Sequence, residues 1–427
     1  MRDNDKIKVV SDKIFEGILM PSKNKTIINL KLDSGYNIGI KKSRIKNITS
    51  VKIQSKIKKT AKKIKKNPNL PGISILHCGG TLSSKIDYET GAVSAKFSPE
   101  DILEMFPELE KLANISSRLV YNILSENIRF NHYNLIAKEI EKEIKSKPKG
   151  IIITHGTVTL AYTASALSFI LEDLPVPIIL VGSQRSSDRA SSDSFLNLYC
   201  AVNFILNSDF GDVGICMHAS IDDDKCFILP AHKTKKLHSS RRDAFKPVNV
   251  DPYAVVDKTS IKFLTGYKKV SNSRLKLKPF KDIKVGILKV HPNLHNDEVL
   301  QYKNYKGLII EGTGLGHLPV EEFDKDSKHN KMVFNALKSL KIPIVMTTQT
   351  VFGCINMNVY STGRMIKDYV QGNLTDMLTE TAFIKLAWLL SNYPGNVKEL
   401  INKNLRGEIS ERIIAKKDFF ELKEDYN

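Results

Sequence analysis

Residues 73–84 read ISILHCGGTLSS. The apolar run Ile73–Leu76 predicts a short buried strand. It runs into Gly79-Gly80, where a backbone without Cβ can turn sharply and approach a ligand closely. Thr81 follows, a hydroxyl held where strand gives way to loop. Open α/β sheets bind ligands beyond the carboxyl ends of their strands, so a nucleophile fits at this position. One such segment is an ordinary turn signal. Residues 151–159, IIITHGTVT, supply a second, another apolar strand running into Gly156-Thr157. Two strand ends that each deliver a threonine point to one shared site.

The surrounding chain continues the pattern. Strands are expected at Val120–Leu124, Gly150–Ile153 and Ile178–Val181. Helices are expected at Pro99–Phe106 (capped by Ser98), Asn131–Lys145, Leu160–Leu171 and Asp193–Leu206. This order predicts an α/β domain over residues 71–265, with a largely parallel sheet covered by helices on both faces. A basic connector spans 266–281, and a second α/β domain spans 282–427. Its strands are expected at Val285–Val290, Gly307–Ile310 and Ile342–Met346. Its helices are expected at Asp297–Gln301, Lys331–Leu340, Thr379–Ser391 and Val397–Leu405.

Residues 1–50 read differently. Lys13–Met20, Lys25–Leu32 and Tyr36–Ile40 are β-rich and separated by Pro21-Ser22 and Asp33-Ser34-Gly35. A small SH3-like β-barrel is expected, serving docking or recognition. A lysine-rich linker over 51–70 follows, with Lys56, Lys58, Lys59, Lys62 and Lys63 among its cations. It reads either as a phosphate-facing patch or as a solvated linker.

The chain of 427 residues has room for two or three cored domains. The formal charge of +19 favours polyanions; a lysine-enriched surface of the thermophilic kind gives the same balance. The five cysteines are scattered, without a CxxC pair, which argues against a zinc site and a disulfide framework and fits a reducing cytoplasm. No apolar run reaches the roughly 18 residues that span a bilayer, and the N-terminus lacks a signal-peptide core.

The two threonine segments resemble the paired TGGT and HGTDT signatures of the asparaginase/glutaminase amidohydrolases. Further segments narrow the resemblance: DYETGAVSAKFSPEDIL (87–103), NILSEN (122–127), GSQRSSDRASSD (182–193), HSSRRDAF (238–245), IIEGTGLGHLP (309–319) and NMNVYSTGR (356–364). Together with EGILMPSKNKTIINLKLDSGYNIGI (16–40), they resemble the family of D-type subunits of the archaeal glutamyl-tRNA(Gln) amidotransferases, whose extra N-terminal domain free asparaginases lack. The resemblance implies a two-domain asparaginase-like fold with parallel-rich sheets behind a small barrel. It also implies release of ammonia from glutamine or asparagine for ATP-dependent conversion of Glu-tRNA(Gln) to Gln-tRNA(Gln). The implied partners are the E-type subunit of the amidotransferase, a second copy of the chain and, through the complex, tRNA. No cofactor is implied here, ATP and magnesium belonging to the E-type partner.

Matching the motifs residue by residue implies that Thr81 attacks the amide carbon and that Thr157 positions water and relays a proton. The lysine nine positions before Phe245, Lys236, supports that relay, although Lys233 and Lys235 lie close by. Ser125 and Glu126 match positions that bind the substrate's α-carboxylate and α-amino ends, and Tyr88 matches a loop tyrosine. His77, His155, His238 and His317 have no matching carboxylate spacing and read as structural or solvent-facing. The chain departs from the family at two places. Cys78 replaces the first threonine of TGGT, a packing substitution. Val158 stands where the family has an aspartate that pairs with the lysine and holds the substrate's ammonium. Valine leaves two outcomes open. Either the chain is a catalytically impaired scaffold, or Lys236, freed from its carboxylate, acts as a neutral base while Glu126 or another acid holds the ammonium. A free asparaginase is the remaining alternative.

Overall fold

The computed structural model describes residues 5–20, 22, 24–32, 37–51, 67–80, 84–86, 93–95, 99–187, 192–373 and 375–412. Thr81, Tyr88, Ser98 and residues 52–66 lie outside the described residues.

The first fifty residues form β1 (Lys6–Val10), β2 (Ile14–Met20), β3 (Ile27–Leu32), β4 (Asn37–Lys41) and β5 (Asn47–Ser50), paired antiparallel in the order β4-β3-β2-β1-β5. β1 is an addition to the three strands that the turn chemistry marks. Its five residues alternate, with Ile7 and Val9 facing inward beside Leu30 and Ile40, so it pairs with both β2 and β5.

A central eight-stranded sheet follows. Its parallel part is β6 (Gly72–Cys78), β9 (Asn114–Leu119), β10 (Gly150–His155), β12 (Ile178–Val181) and β13 (Val213–His218). The hairpin strands β7 (Ser84–Ile86) and β8 (Val93–Ala95) and the short β11 (Leu171–Glu172) stand outside it. β14 (Cys226–Pro230), β17 (Ala254–Val256) and β18 (Ile261–Phe263) extend the sheet antiparallel. Between them, β15 (Thr234–Lys236) and β16 (Phe245–Pro247) make a separate hairpin. The strands from β13 to β18 are all additions to those expected from sequence.

One expected strand is displaced. Val120–Leu124 is not a strand; the strand is β9, just before it. β9 is the sheet edge and tolerates polar residues. Ser116 Oγ and Ser74 Oγ share a hydrogen bond of 2.9 Å, and the Arg118 guanidinium pairs with Glu139 and Glu143. Val120 and Tyr121 instead pack against the core as irregular chain.

Helices α1 (Pro99–Met105) and α4 (Ser194–Leu206) cover one face of the sheet. Helices α2 (Phe130–Ile144) and α3 (Leu160–Ile170) cover the other. β19 (Lys276–Leu277) ties the connector to β11. The last domain is a parallel sheet of β20 (Val285–Lys289), β21 (Gly307–Gly312) and β22 (Ile344–Thr348). Its helices are α5 (Asn296–Leu300), α6 (Lys328–Ser339), α7 (Ser361–Ile366), α8 (Thr379–Asn392) and α9 (Val397–Leu400). Helix α9 is shorter than expected because the chain turns back after it. Glu408 is fully buried against Lys385 of α8, and its carboxylate accepts the Leu405 and Arg406 amides. Helix α8 also packs on α3, with Trp388 against Phe169 at 5.3 Å between ring centroids, joining the two α/β domains into one core.

Candidate active site

The neighbouring parallel strands β6 and β10 end side by side, His155 opposite Cys78. Their carboxyl ends close together because Gly80 carries no side chain. A Cβ there would lie 2.7 Å from the His155 carbonyl carbon, and Gly80 has φ +92°, which L side chains rarely adopt. The residue before Thr81 therefore rests on the residues before Thr157. The next strand, β12, runs into Gly182, where a Cβ would come within 2.9 Å of Thr157 Cγ2. Three strand ends thus converge on Thr157.

The fourth wall is the hairpin β15–β16. Lys236, opposite Phe245, ends β15 and donates from Nζ to Thr157 Oγ1 at 3.0 Å. Thr157 in turn donates to Gln184 Oε1 at 3.3 Å. Lys233 and Lys235 are engaged elsewhere: Lys233 is buried and pairs with Asp376 at 2.6 Å, and Lys235 pairs with Glu380. Of these three lysines, Lys236 is the one that touches Thr157. Among the described residues no carboxylate pairs with Lys236. Desolvation by the surrounding protein pulls its ammonium below the ordinary lysine value.

Ser125 and Glu126 sit on a single 3₁₀ turn, Ser125–Asn127. Ser125 is buried against the loop after β10: its carbonyl accepts from Thr159 Oγ1 at 2.7 Å, and its Oγ accepts the Thr159 amide at 3.4 Å. The turn carrying Glu126 is thereby fixed beside Thr157–Thr159, with Glu126 exposed. Val158 is 59% exposed, so its side chain is not replacing a buried packing group. Thr157, Lys236, Ser125, Glu126 and Val158 lie together; Thr81 and Tyr88 fall outside the described residues.

The histidines near the motifs differ in setting. Burial pushes His77 down to about 3 and His155 to about 4. Both rings are neutral ties inside the sheet, His77 to Thr154 and Ser117, His155 to Thr163 and the Gly156 carbonyl. His238 is exposed and accepts the Ser240 and Arg241 amides in its own loop, while His317 packs edge-on against Tyr360. The Cys78 thiol is fully buried and burial raises its pKa, which disfavours a thiolate nucleophile. Among the described residues no group of three His, Cys, Asp or Glu is placed to hold a metal.

Two residues of the site are not evident from the sequence motifs. Gln184 has a signal, a third apolar strand running into glycine and then polar residues. Asp193 has none, because its role depends on folding. Its buried carboxylate accepts the Gln184 amide at 3.0 Å, the Arg185 amide at 3.0 Å and Ser183 Oγ at 2.8 Å, fixing the loop that presents Gln184.

The geometry has counterparts in known proteins. Residues 72–268 match the family model Asparaginase, N-terminal; residues 284–401 match the Glutaminase/Asparaginase C-terminal domain; residues 1–51 match the GatD N-terminal domain. The D-type subunit of the glutamyl-tRNA(Gln) amidotransferase of Methanococcus maripaludis is 43% identical over 410 residues, covering 93% of this chain and 96% of that protein. Its counterpart in Pyrococcus horikoshii is 38% identical over 427 residues, covering 95% and 94%. Among solved structures, the thermostable L-asparaginase from Thermococcus kodakarensis superposes with a TM-score of 0.70 at 27% identity, covering 80% of this chain and 100% of that one.

Proposed function

This chain belongs to the family of D-type glutamyl-tRNA(Gln) amidotransferase subunits, which are asparaginase-like proteins, and we propose that it is the amidase subunit that releases ammonia from glutamine or asparagine. The observation that carries the reading is the contact of Lys236 Nζ with Thr157 Oγ1 at the point where three strand ends meet. A threonine hydroxyl is a weak nucleophile at neutral pH and needs a base and a proton path. Thr81 attacks the amide carbon through its hydroxyl oxygen, and its proton leaves by way of Thr157 and Lys236 to the departing nitrogen. The C–N bond breaks, ammonia departs, and water then cleaves the acyl ester to the free acid. Lys236 serves as base in its neutral form, which its desolvated setting favours. Ser125 and Glu126 hold the α-carboxylate and α-ammonium ends of the amide donor.

The ammonia passes to the E-type partner, which uses ATP and magnesium to amidate Glu-tRNA(Gln), while this chain works with side chains alone in the cytoplasm. The +19 charge supports approach to tRNA within the complex. A second copy of the chain covers the site. Support for this comes from Leu124, Val158 and Leu237, exposed apolar neighbours of Ser125, Thr157 and Lys236. The five-strand N-terminal domain favours this reading over a free asparaginase. Val158 is the one residue that favours an impaired scaffold. Ammonia release from glutamine and asparagine, measured with the E-type partner and Glu-tRNA(Gln) beside Thr81→Ala, decides among them. Activity lost in Thr81→Ala is expected; a silent parent would sink the amidase reading.

A further inference from the structure

Thr157 Oγ1 has two side-chain partners, and the family motifs point to Lys236 alone. The hydroxyl accepts from Lys236 Nζ and donates to Gln184 Oε1. Its single proton is therefore committed to Gln184, away from the lysine. Gln184 is held from behind: its amide bonds Asp193 Oδ2, and Asp193 also fastens Ser183, Arg185 and Asn197. The other end of the same carboxamide, Nε2, is buried and has no hydrogen-bond partner among the described residues.

Among the described residues, the charged side chains next to Lys236 in its hairpin and behind the Gln184 loop have partners of their own. Lys235 is paired with Glu380, Lys233 with Asp376, and Lys246 of β16 with Asp243, while Asp193 is spent on the Gln184 loop. The group that reaches the relay from the opposite side is thus neutral.

We infer that Gln184 is a positioning residue that sets the direction of the Thr157 hydroxyl proton and so decides whether Lys236 meets Thr157 as donor or as acceptor. With Gln184 taking the proton, Lys236 is the donor. When Gln184 releases it, the hydroxyl turns to the lysine lone pair and the neutral amine is favoured. This rests on the amidase reading for its catalytic meaning, not for its geometry.

The test uses the full-length chain and two variants, Gln184→Glu and Gln184→Met. Lys236 is titrated directly by brief acetic anhydride labelling across pH, with residue-resolved mass spectrometry, since only the neutral amine reacts. In parallel, kcat and KM for ammonia release from glutamine and asparagine are measured. A carboxylate in Gln184→Glu should raise the Lys236 midpoint by about one pH unit or more. Gln184→Met should lower the midpoint and shift the acid limb of kcat to lower pH with KM nearly unchanged. Coincident Lys236 midpoints in all three proteins would overturn the inference, even if kcat fell. A parent without amidase activity would sink the amidase reading alone, and the labelling midpoints would still decide the role of Gln184.

Discussion

Lys236 reaches Thr157 from a hairpin 79 residues further along the chain and donates to its hydroxyl at 3.0 Å. The contact unites the parallel half of the sheet with the hairpin inserted between β14 and β17 of its antiparallel extension. If the pair is the proton path, Thr157→Val and Lys236→Met should each lower ammonia release by about a hundred- to ten-thousandfold. Circular dichroism and thermal midpoints should stay close to the parent. Lys236→Arg should not restore the rate, because a guanidinium stays charged and cannot serve as base. Recovery in Lys236→Arg would rule out a neutral lysine.

Val158 follows Thr157 directly and leaves an apolar side chain exposed. Val158→Asp brings a carboxylate to the relay and should favour the charged form of Lys236. The acid limb of the rate profile should then move to higher pH, because the base is neutral only above its own pKa. A pH–rate profile of parent and variant checks this. An unchanged limb would show that residue 158 does not sense the lysine.

Gly80 is the closure point of the two strand ends. Gly80→Ala places a Cβ 2.7 Å from the His155 carbonyl carbon at φ +92°. The expected cost is about 1–3 kcal/mol from the backbone conformation, with the clash added. Denaturant unfolding should report the loss, and ammonia release should fall more than stability predicts, since the strand ends must separate.

The ion pair of Lys385 with Glu408 is buried completely, 2.6 Å apart. Glu408→Ala leaves a buried ammonium uncompensated and should cost about 3–5 kcal/mol in urea unfolding. Burial alone would raise the Glu408 carboxyl, but Lys385 and the Leu405 amide outweigh it and hold the carboxyl below its usual range. Its contribution is complete above the unfolded carboxylate pKa and disappears as pH falls through the lower folded value.

His77, His155 and His232 are buried as neutral rings, with pKa values pushed down by burial to about 3, 4 and 4. The unfolded chain takes up protons near the ordinary histidine value while the native rings refuse them. Stability should therefore fall as pH drops from about 6.5 toward 4, by up to about 1.4 kcal/mol per pH unit for each ring. Unfolding midpoints measured across this window should show the slope, and His155→Gln should flatten it.

Local signals along the chain are enough to place Thr157 just beyond a strand end, the strand–helix alternation that builds a parallel sheet and the separate β-rich start. An apolar run, a glycine pair and a period of two are each legible within a few residues. Family spacing from Phe245 also singled out Lys236, although Lys233 and Lys235 are chemically identical neighbours. The folded chain is what distinguishes the three lysines. Asp376 and Glu380 come from the distant C-terminal domain and occupy the first two, leaving the third for Thr157. The β9 edge strand escapes a reading by apolar runs because its polar residues find partners across the sheet and on α2. The role of Asp193 is illegible for the same reason, and although a strand-to-glycine signal marks the Gln184 loop, its contact with Thr157 is set by folding. A side chain's hydrogen-bond partners are set by which strand ends the fold brings together, and spacing along the chain does not carry that information.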